Sequence, residues 1–413
     1  MSMCGRTYSC SGYLCSQIPG AGLIQTKGPK LILGLTMIGT CGIFTLTPAL
    51  ARLRRTIDLS ERACASWAAC LTVCGFFQGP LIPGQMVMRR NWLPKSGTPE
   101  RPIHARLVAL GGQFASIVAI SVTPWLATKF GWSSVNTLFG GGGLLCCALW
   151  FAKCAEVPQH WRRRGDPPSA VASSASPAAA AAAPAASKEP AAAAAKPKAK
   201  AFNFSIFRDP AVIATTWCKM SNLNCAYTMS SYVPTIFIES LGCTPLQAAA
   251  YLVWQSPISL IGGFVAAGTE SALLKKGVAQ IKIRKRAQLL AAIGQSTFMV
   301  LFPFCKSAPL AALCINADSV FLNCVQAGFN PNMIEVGGAD TATLNAVGNT
   351  MGNCWGLLVP ILSVYCKRRF NSYAPVFIQA AVFHLLGSLL FAKFARLTSR
   401  AEEAAAKAAA AQA

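Results

Sequence analysis

Acidic residues and histidine are what this chain has least of. Its 413 residues include only 14 Asp and Glu and three histidines, His104, His160 and His384, and charged residues of both signs make up 12%. Soluble domains carry roughly twice that share of charge. The histidines are too scattered for a metal site, and no acid pair or Ser/His/Asp arrangement converges at one depth, so an enzymatic reading has little to stand on. Nothing in the sequence asks for a cofactor. The 18 cysteines contain no Cys-x-x-Cys. Most sit singly inside apolar runs, as Cys41, Cys74, Cys225, Cys314 and Cys354 do, and read as small buried hydrophobes rather than disulfide or zinc partners. The start also lacks a basic segment leading into a clean apolar stretch, so no secretory signal is evident.

What is abundant is apolar sequence: 53% of residues, with a mean hydropathy of +0.43. Runs long enough to cross a bilayer fall at about 31–51, 64–88, 105–128, 132–152, 210–237, 246–268, 287–304, 308–329, 341–365 and 373–395. A shorter, doubtful run precedes them at about 9–24. The fold class expected is an all-α polytopic membrane protein. The net charge of +23 does not point to nucleic acid, because the bases sit between apolar runs rather than in one patch interleaved with aromatics. When the connecting segments are assigned alternately to two sides, Lys and Arg concentrate on the side holding the longest connection and the C-terminal tail. By the positive-inside rule that side is cytoplasmic.

Four segments are expected along the chain: a helical half at 1–154, a basic Ala/Pro/Lys-rich linker at 155–207, a second helical half at 208–396 and an Ala-rich tail at 397–413. The linker carries Arg162-Arg163-Arg164, Lys188, Lys196, Lys198 and Lys200 among alanines broken by prolines, a composition that offers no core.

Within the second half, the run from Thr341 carries no charge through Tyr365, yet it is spaced by Gly348, Gly352 and Gly356 and dotted with Asn345, Asn349 and Asn353. Small residues let membrane helices approach closely, and amides bond where water is absent. Polar groups at membrane depth commonly mark substrate routes. Lys219 is the sharpest of these, since a lysine within a span costs about 2.5–3.5 kcal/mol on insertion scales. It either attracts an anion or snorkels to headgroups. Gln113, beside Gly111-Gly112, and Asn349 are candidates to bond an anion's oxygens in a central cavity, against plain interhelical amide bonding. Tyr227 either lines that cavity or packs. Gln78 precedes Pro80 and Pro83, which are expected to break or kink the helix and free carbonyls there. Asp318 and Glu335 are the candidate titratable groups for coupling to an ion; capping or interfacial exposure is the alternative. His384 reads as a core residue.

Several motifs in order resemble the major facilitator superfamily, specifically its organic anion and phosphate transporter branch, to which sialin, the vesicular glutamate transporters and plastid phosphate transporters belong. Ser11-Gly12-Tyr13-Leu14-Cys15-Ser16-Gln17-Ile18-Pro19-Gly20 resembles the end of that family's second helix, and Gly28-Pro29-Lys30 the close of the loop that follows. Gly131-Trp132, with the Gly-rich helix ending at Trp150 and then Glu156, Pro158 and His160, resembles the sixth helix and its exit. Tyr227 through Tyr232-Val233-Pro234-Thr235-Ile236-Phe237 resembles the seventh. Gly328-Phe329-Asn330, Asn332, Glu335, Gly348-Asn349-Thr350, Gly356 and Pro360 resemble the tenth-to-eleventh loop and eleventh helix. The match covers nearly everything outside linker and tail.

The resemblance implies a major facilitator fold of two helical halves lacking the first helix and part of the second. It implies transport of a small anion, inorganic phosphate or an organic carboxylate, by alternating access, with H+ or Na+ as coupling ion and the lipid bilayer as surroundings. The family's basic residue of the seventh helix falls on Asn222 in an ungapped alignment, one turn from Lys219. Departures stand at Gln25 and Thr26, where the family carries an acid and an arginine, and at Leu71 and Gln78, where it carries an arginine and a glutamate. An amide at Gln78 cannot gain and lose a proton. These departures motivate the alternative, a non-transporting relative kept for interaction or sensing.

Overall fold

The computed structural model describes residues 3–56, 60–156, 204–398 and 403. Most of the linker at 155–207 and of the tail at 397–413 therefore lies outside the described residues, although Phe204–Arg208 already forms a 3-10 turn with Ile206 and Phe207 packed on the core.

The described residues are helical, with no strand among them. The first half comprises α1 (Met3–Lys27), α2 (Pro29–Thr56), α3 (Ser60–Gln78), α4 (Leu81–Trp92), α5 (Arg101–Phe130) and α6 (Trp132–Lys153). The second comprises α7 (Pro210–Glu239), α8 (Pro245–Leu252), α9 (Gln255–Lys275), α10 (Gln280–Leu301), α11 (Ala308–Leu322), α12 (Phe329–Gly337), α13 (Thr341–Phe370) and α14 (Ala374–Phe394). Helix ends follow local chemistry. Gly28 separates α1 from α2 at φ +86° and Gly131 separates α5 from α6 at φ +80°, a region that favours glycine. Asp209 caps α7 by accepting from Ala211 N at 3.0 Å, and Thr244 and Gln247 form a reciprocal capping box on α8. As the prolines foretold, the 64–88 run breaks: α3 stops at Gln78 and α4 resumes after the Gly79-Pro80 turn.

The doubtful 9–24 run forms the middle of α1, a helix of 25 residues packed against α3 and α13. Seven stretches of the described residues pass on length and hydropathy as membrane spans. The longest, Ala308–Phe370, holds α11, α12 and α13. Helices α1, α3, α4 and α7 are not among the seven, and three of these four pack where the halves meet or beside α13. Polar residues that meet neighbouring helices, such as Gln17 against Thr350 and Asn224 against Gln379, dilute their hydropathy.

Each half has its own packing. In the second, Cys225, Met229, Phe237, Met299, Phe302, Ile315 and Phe377 form one core, while Val212, Val325, Phe329, Met333, Leu344 and Phe391 form another nearer the linker. In the first, α2 and α6 approach so closely at Gly140 that a Cβ would strike Thr45 Oγ1. The outside is apolar: Phe114, Leu145, Leu313 and Ile361 are exposed, as a lipid-facing belt requires.

The halves meet on the linker side, where α1, α4 and α6 end and α5, α7 and α10 begin. A small core there is shared by both, with Ala21, Ile24 and Ile32 from the first half against Ala342 and Ala346 from α13. Substituting Gly140→Leu is expected to force α2 and α6 apart at a cost of about 1–3 kcal/mol. It should lower the thermal unfolding temperature of the detergent-solubilised protein, whereas Gly141→Leu, which meets open space, should leave it nearly unchanged.

Candidate functional site

The contacts between halves run from the linker side towards mid-membrane as a line of side-chain hydrogen bonds. Gln25 Nε2 donates to Thr343 Oγ1 at 2.9 Å. Thr350 Oγ1 donates to Gln17 Oε1 at 2.7 Å, and Asn349 Nδ2 donates to Tyr13 Oη at 2.9 Å. Further along α13, Asn353 Nδ2 donates to Asn349 O at 2.6 Å, and Asn353 Oδ1 accepts from the Tyr227 hydroxyl. The glycines of α13 make room for this. Gly348 receives the Lys219 methylenes, Gly352 the Leu223 side chain and Gly356 the Tyr227 ring. Helix α7 thus lies along α13 with Lys219, Leu223 and Tyr227 on the contact face, at the i, i+4, i+8 spacing of one helical stripe.

Lys219 is half-buried, and its methylenes pack against Gly348 of α13. It makes no hydrogen bond or ion pair among the described residues. The charge that acts on it is another cation, Arg89 at the end of α4, whose side chain is likewise without a hydrogen bond or ion pair there. Asn222, close by on α7, has a buried Nδ2 with no partner. Two cations and a free amide donor therefore share the junction of α4, α7 and α13.

The other sequence candidates go elsewhere. Gln113 accepts from Arg106 Nη2 at 3.1 Å on the α5 side, in a contact separate from Lys219. Gln78 ends α3 and bonds within its own helix, to Cys74 Sγ at 3.5 Å. Asp318 is buried inside the second half on α11, where its Oδ1 has no partner. His384 is fully buried with Nδ1 3.2 Å from Ser221 Oγ, as a core residue would be.

Glu335 stands on α12 in the second half. It is buried against Arg284, whose Nη2 lies at 3.0 Å, and it accepts from Gln280 Nε2 at 2.7 Å and Asn332 Nδ2 at 3.2 Å. Arg284, 1% exposed, also pairs with Glu270 and donates to Ala327 O at 3.0 Å. Ser96, from the α4–α5 connection of the other half, donates to Glu335 Oε1 at 2.6 Å.

Sequence reasoning missed Arg89 and Arg106. Both were legible only as basic residues next to apolar runs, Arg89 as part of a separator between spans. Their place between the halves depends on how α4 and α5 pack.

The chain matches the sequence profile of the Major Facilitator Superfamily over residues 7–360. It belongs to that superfamily. It is 25% identical over 388 residues to the chloroplastic ascorbate transporter of Arabidopsis thaliana, covering 93% of this chain and 66% of that protein. It is 23% identical to the chloroplastic sodium-dependent phosphate transport protein 1 of the same plant, over 93% of this chain and 69% of that one. The chain thus spans about two thirds of the length of these relatives. Among solved structures it is similar to the Major Facilitator Superfamily transporter FucP in the outward conformation, with a TM-score of 0.61 at 13% identity, covering 95% of this chain and 89% of that one.

Removing one partner of a buried ion pair costs about 3–5 kcal/mol. Glu335→Gln is therefore expected to destabilise this superfamily member markedly in thermal unfolding. It should also raise labelling of a cysteine placed at Ser96 by a water-soluble maleimide. Unchanged labelling and stability would show that the network does not hold the linker side together.

Proposed function

We propose that the protein carries a small anion across a membrane by alternating access, with Lys219 as the positive centre of the site. The carrying observation is that Lys219, packed against α13, makes no hydrogen bond or ion pair among the described residues, where the charge that acts on it is another cation, Arg89. A buried ammonium without a counter-ion is costly, and a bound anion removes that cost. Asn222, with its unpartnered Nδ2, and Tyr227 and Asn349 on the same seam supply hydrogen-bonding groups around it. Gln113 and Gln78 fit this site less well, since both are engaged elsewhere.

Inorganic phosphate or an organic carboxylate is the substrate class this reading favours, supported by relatives named for phosphate, ascorbate and other anions. The linker-side contacts represent a closed gate in this reading, and rocking of the halves about the α1–α13 seam opens it. The basic linker side is assigned to the cytoplasm by its charge. Of the two carboxylates considered for coupling, Glu335 is held by Arg284, so Asp318 is the one we assign to a coupling proton.

Lys219→Ala is expected to abolish saturable uptake of phosphate or carboxylate into proteoliposomes while the variant still inserts. Undiminished uptake by well-expressed Lys219→Ala would remove the residue from the site. Absence of saturable, competable uptake by the unsubstituted protein would favour the non-transporting alternative. Asp318→Asn should leave substrate binding in place and remove the stimulation of uptake by an inward proton gradient.

A further inference from the structure

A second basic site lies on the linker side of the Lys219 junction, between the halves. A partly open cavity of about 50 Å³ is lined by α4, α5, α9, α10 and α12, with Arg89, Arg101, Arg106, Arg284, Glu270 and Asn330 among its walls. On the scale of roughly 10–15 Å³ per water, it has room for a few waters or one tetrahedral oxyanion. Four guanidiniums thus meet two carboxylates, Glu270 on the wall and Glu335 behind Arg284. Arg284 takes up both acids. Arg101 is 7% exposed and donates Nη1 to Pro94 O at 2.8 Å.

Arg106 and Arg89 are left over. Arg106 is 5% exposed, lies over Gly263 where a Cβ would strike it, and donates Nη2 to Gln113 Oε1 and to Ser259 O at 3.0 Å. Its Nε is buried with no partner. On the opposite wall, Asn330 donates Nδ2 to Gln326 Oε1 at 2.8 Å and keeps a buried Oδ1 without a donor. The cavity therefore offers unused guanidinium donors and one unused acceptor. A carboxylate can answer only the donors. A monohydrogen phosphate answers both, its charged oxygens accepting from arginine and its P–OH donating to Asn330.

We propose that this cavity is a phosphate site beside the Lys219 junction, sharing Arg89 with it, in which Arg89 and Arg106 bind a phosphate group that is either free or the headgroup of a phosphomonoester lipid. Bound there, the group ties α4 and α5 of one half to α9 and α12 of the other and stabilises the closed linker side.

The test uses the full chain carrying Lys219→Ala, so that the proposed transport site is silent. In nanodiscs of phosphatidylcholine alone, equilibrium binding of radiolabelled inorganic phosphate is measured. In nanodiscs containing phosphatidic acid and no free phosphate, native mass spectrometry counts retained lipid. One saturable phosphate per chain, weakened at least tenfold by Arg89→Gln and by Arg106→Gln, supports a free-phosphate site. Retention of one phosphatidic acid with the same arginine dependence supports a lipid-derived group. Should the glutamine variants fail to fold, Arg89→Lys and Arg106→Lys keep the charge but lose the guanidinium fork, and the same weakening is expected. An occupant in neither arm, or one indifferent to both arginines, overturns the proposal. Loss of transport by Lys219→Ala bears on neither outcome.

Discussion

Arg284 stands between Glu270 and Glu335, and much of the linker side is arranged around it. The three side chains come from α10, α9 and α12, so one guanidinium fixes three helices of the second half. Desolvating such charges is expensive. The expense is met because Gln280, Asn332 and the Ala327 carbonyl fill the remaining hydrogen-bonding positions. Ser96 extends the same network across to the first half. A neutral contact at this place would leave α9, α10 and α12 free to slide. The ionic one sets their depth, and with it the position of α13, which follows α12 directly.

The arrangement also consumes acid. With only 14 Asp and Glu against 37 Lys and Arg in the chain, two carboxylates committed to one arginine leave the other cations between the halves without partners. Lys219, Arg89 and Arg106 are those cations. In water an unpaired lysine or arginine is unremarkable. Between packed helices it is a standing demand for negative charge, and the demand falls on whatever anion can reach it. The scarcity of acid noted at the level of composition thus becomes a property of the seam.

The seam itself is built from small residues and amides. Gly348, Gly352 and Gly356 bring α7 onto α13, and the amides of Asn349 and Asn353 use the proximity to bond Tyr13 and Tyr227. These bonds are few and individually modest, about 0.5–1.5 kcal/mol each. The ion-pair network is the firmer part and lies nearer the linker. The Tyr13–Asn349 and Thr350–Gln17 bonds lie deeper and can exchange for a ligand's oxygens.

By itself the sequence determined the class and the two-half plan, because a chain with this little charge and this many apolar runs can satisfy its backbone in a membrane only as helices. It also singled out Lys219 and the Gly/Asn spacing of α13, since a charge or a glycine stripe within a span is costly wherever the helix packs. It left α1 in doubt as a span, because hydropathy measures partition into lipid and this helix packs against α3 and α13. Which polar groups meet was decided by tertiary structure alone. Glu335 is held by Arg284 and Asn349 meets Tyr13, each through helices that are distant in sequence. Whether a buried group is paired or left over depends on distances of a few ångströms between such helices. No periodicity along one chain encodes those distances.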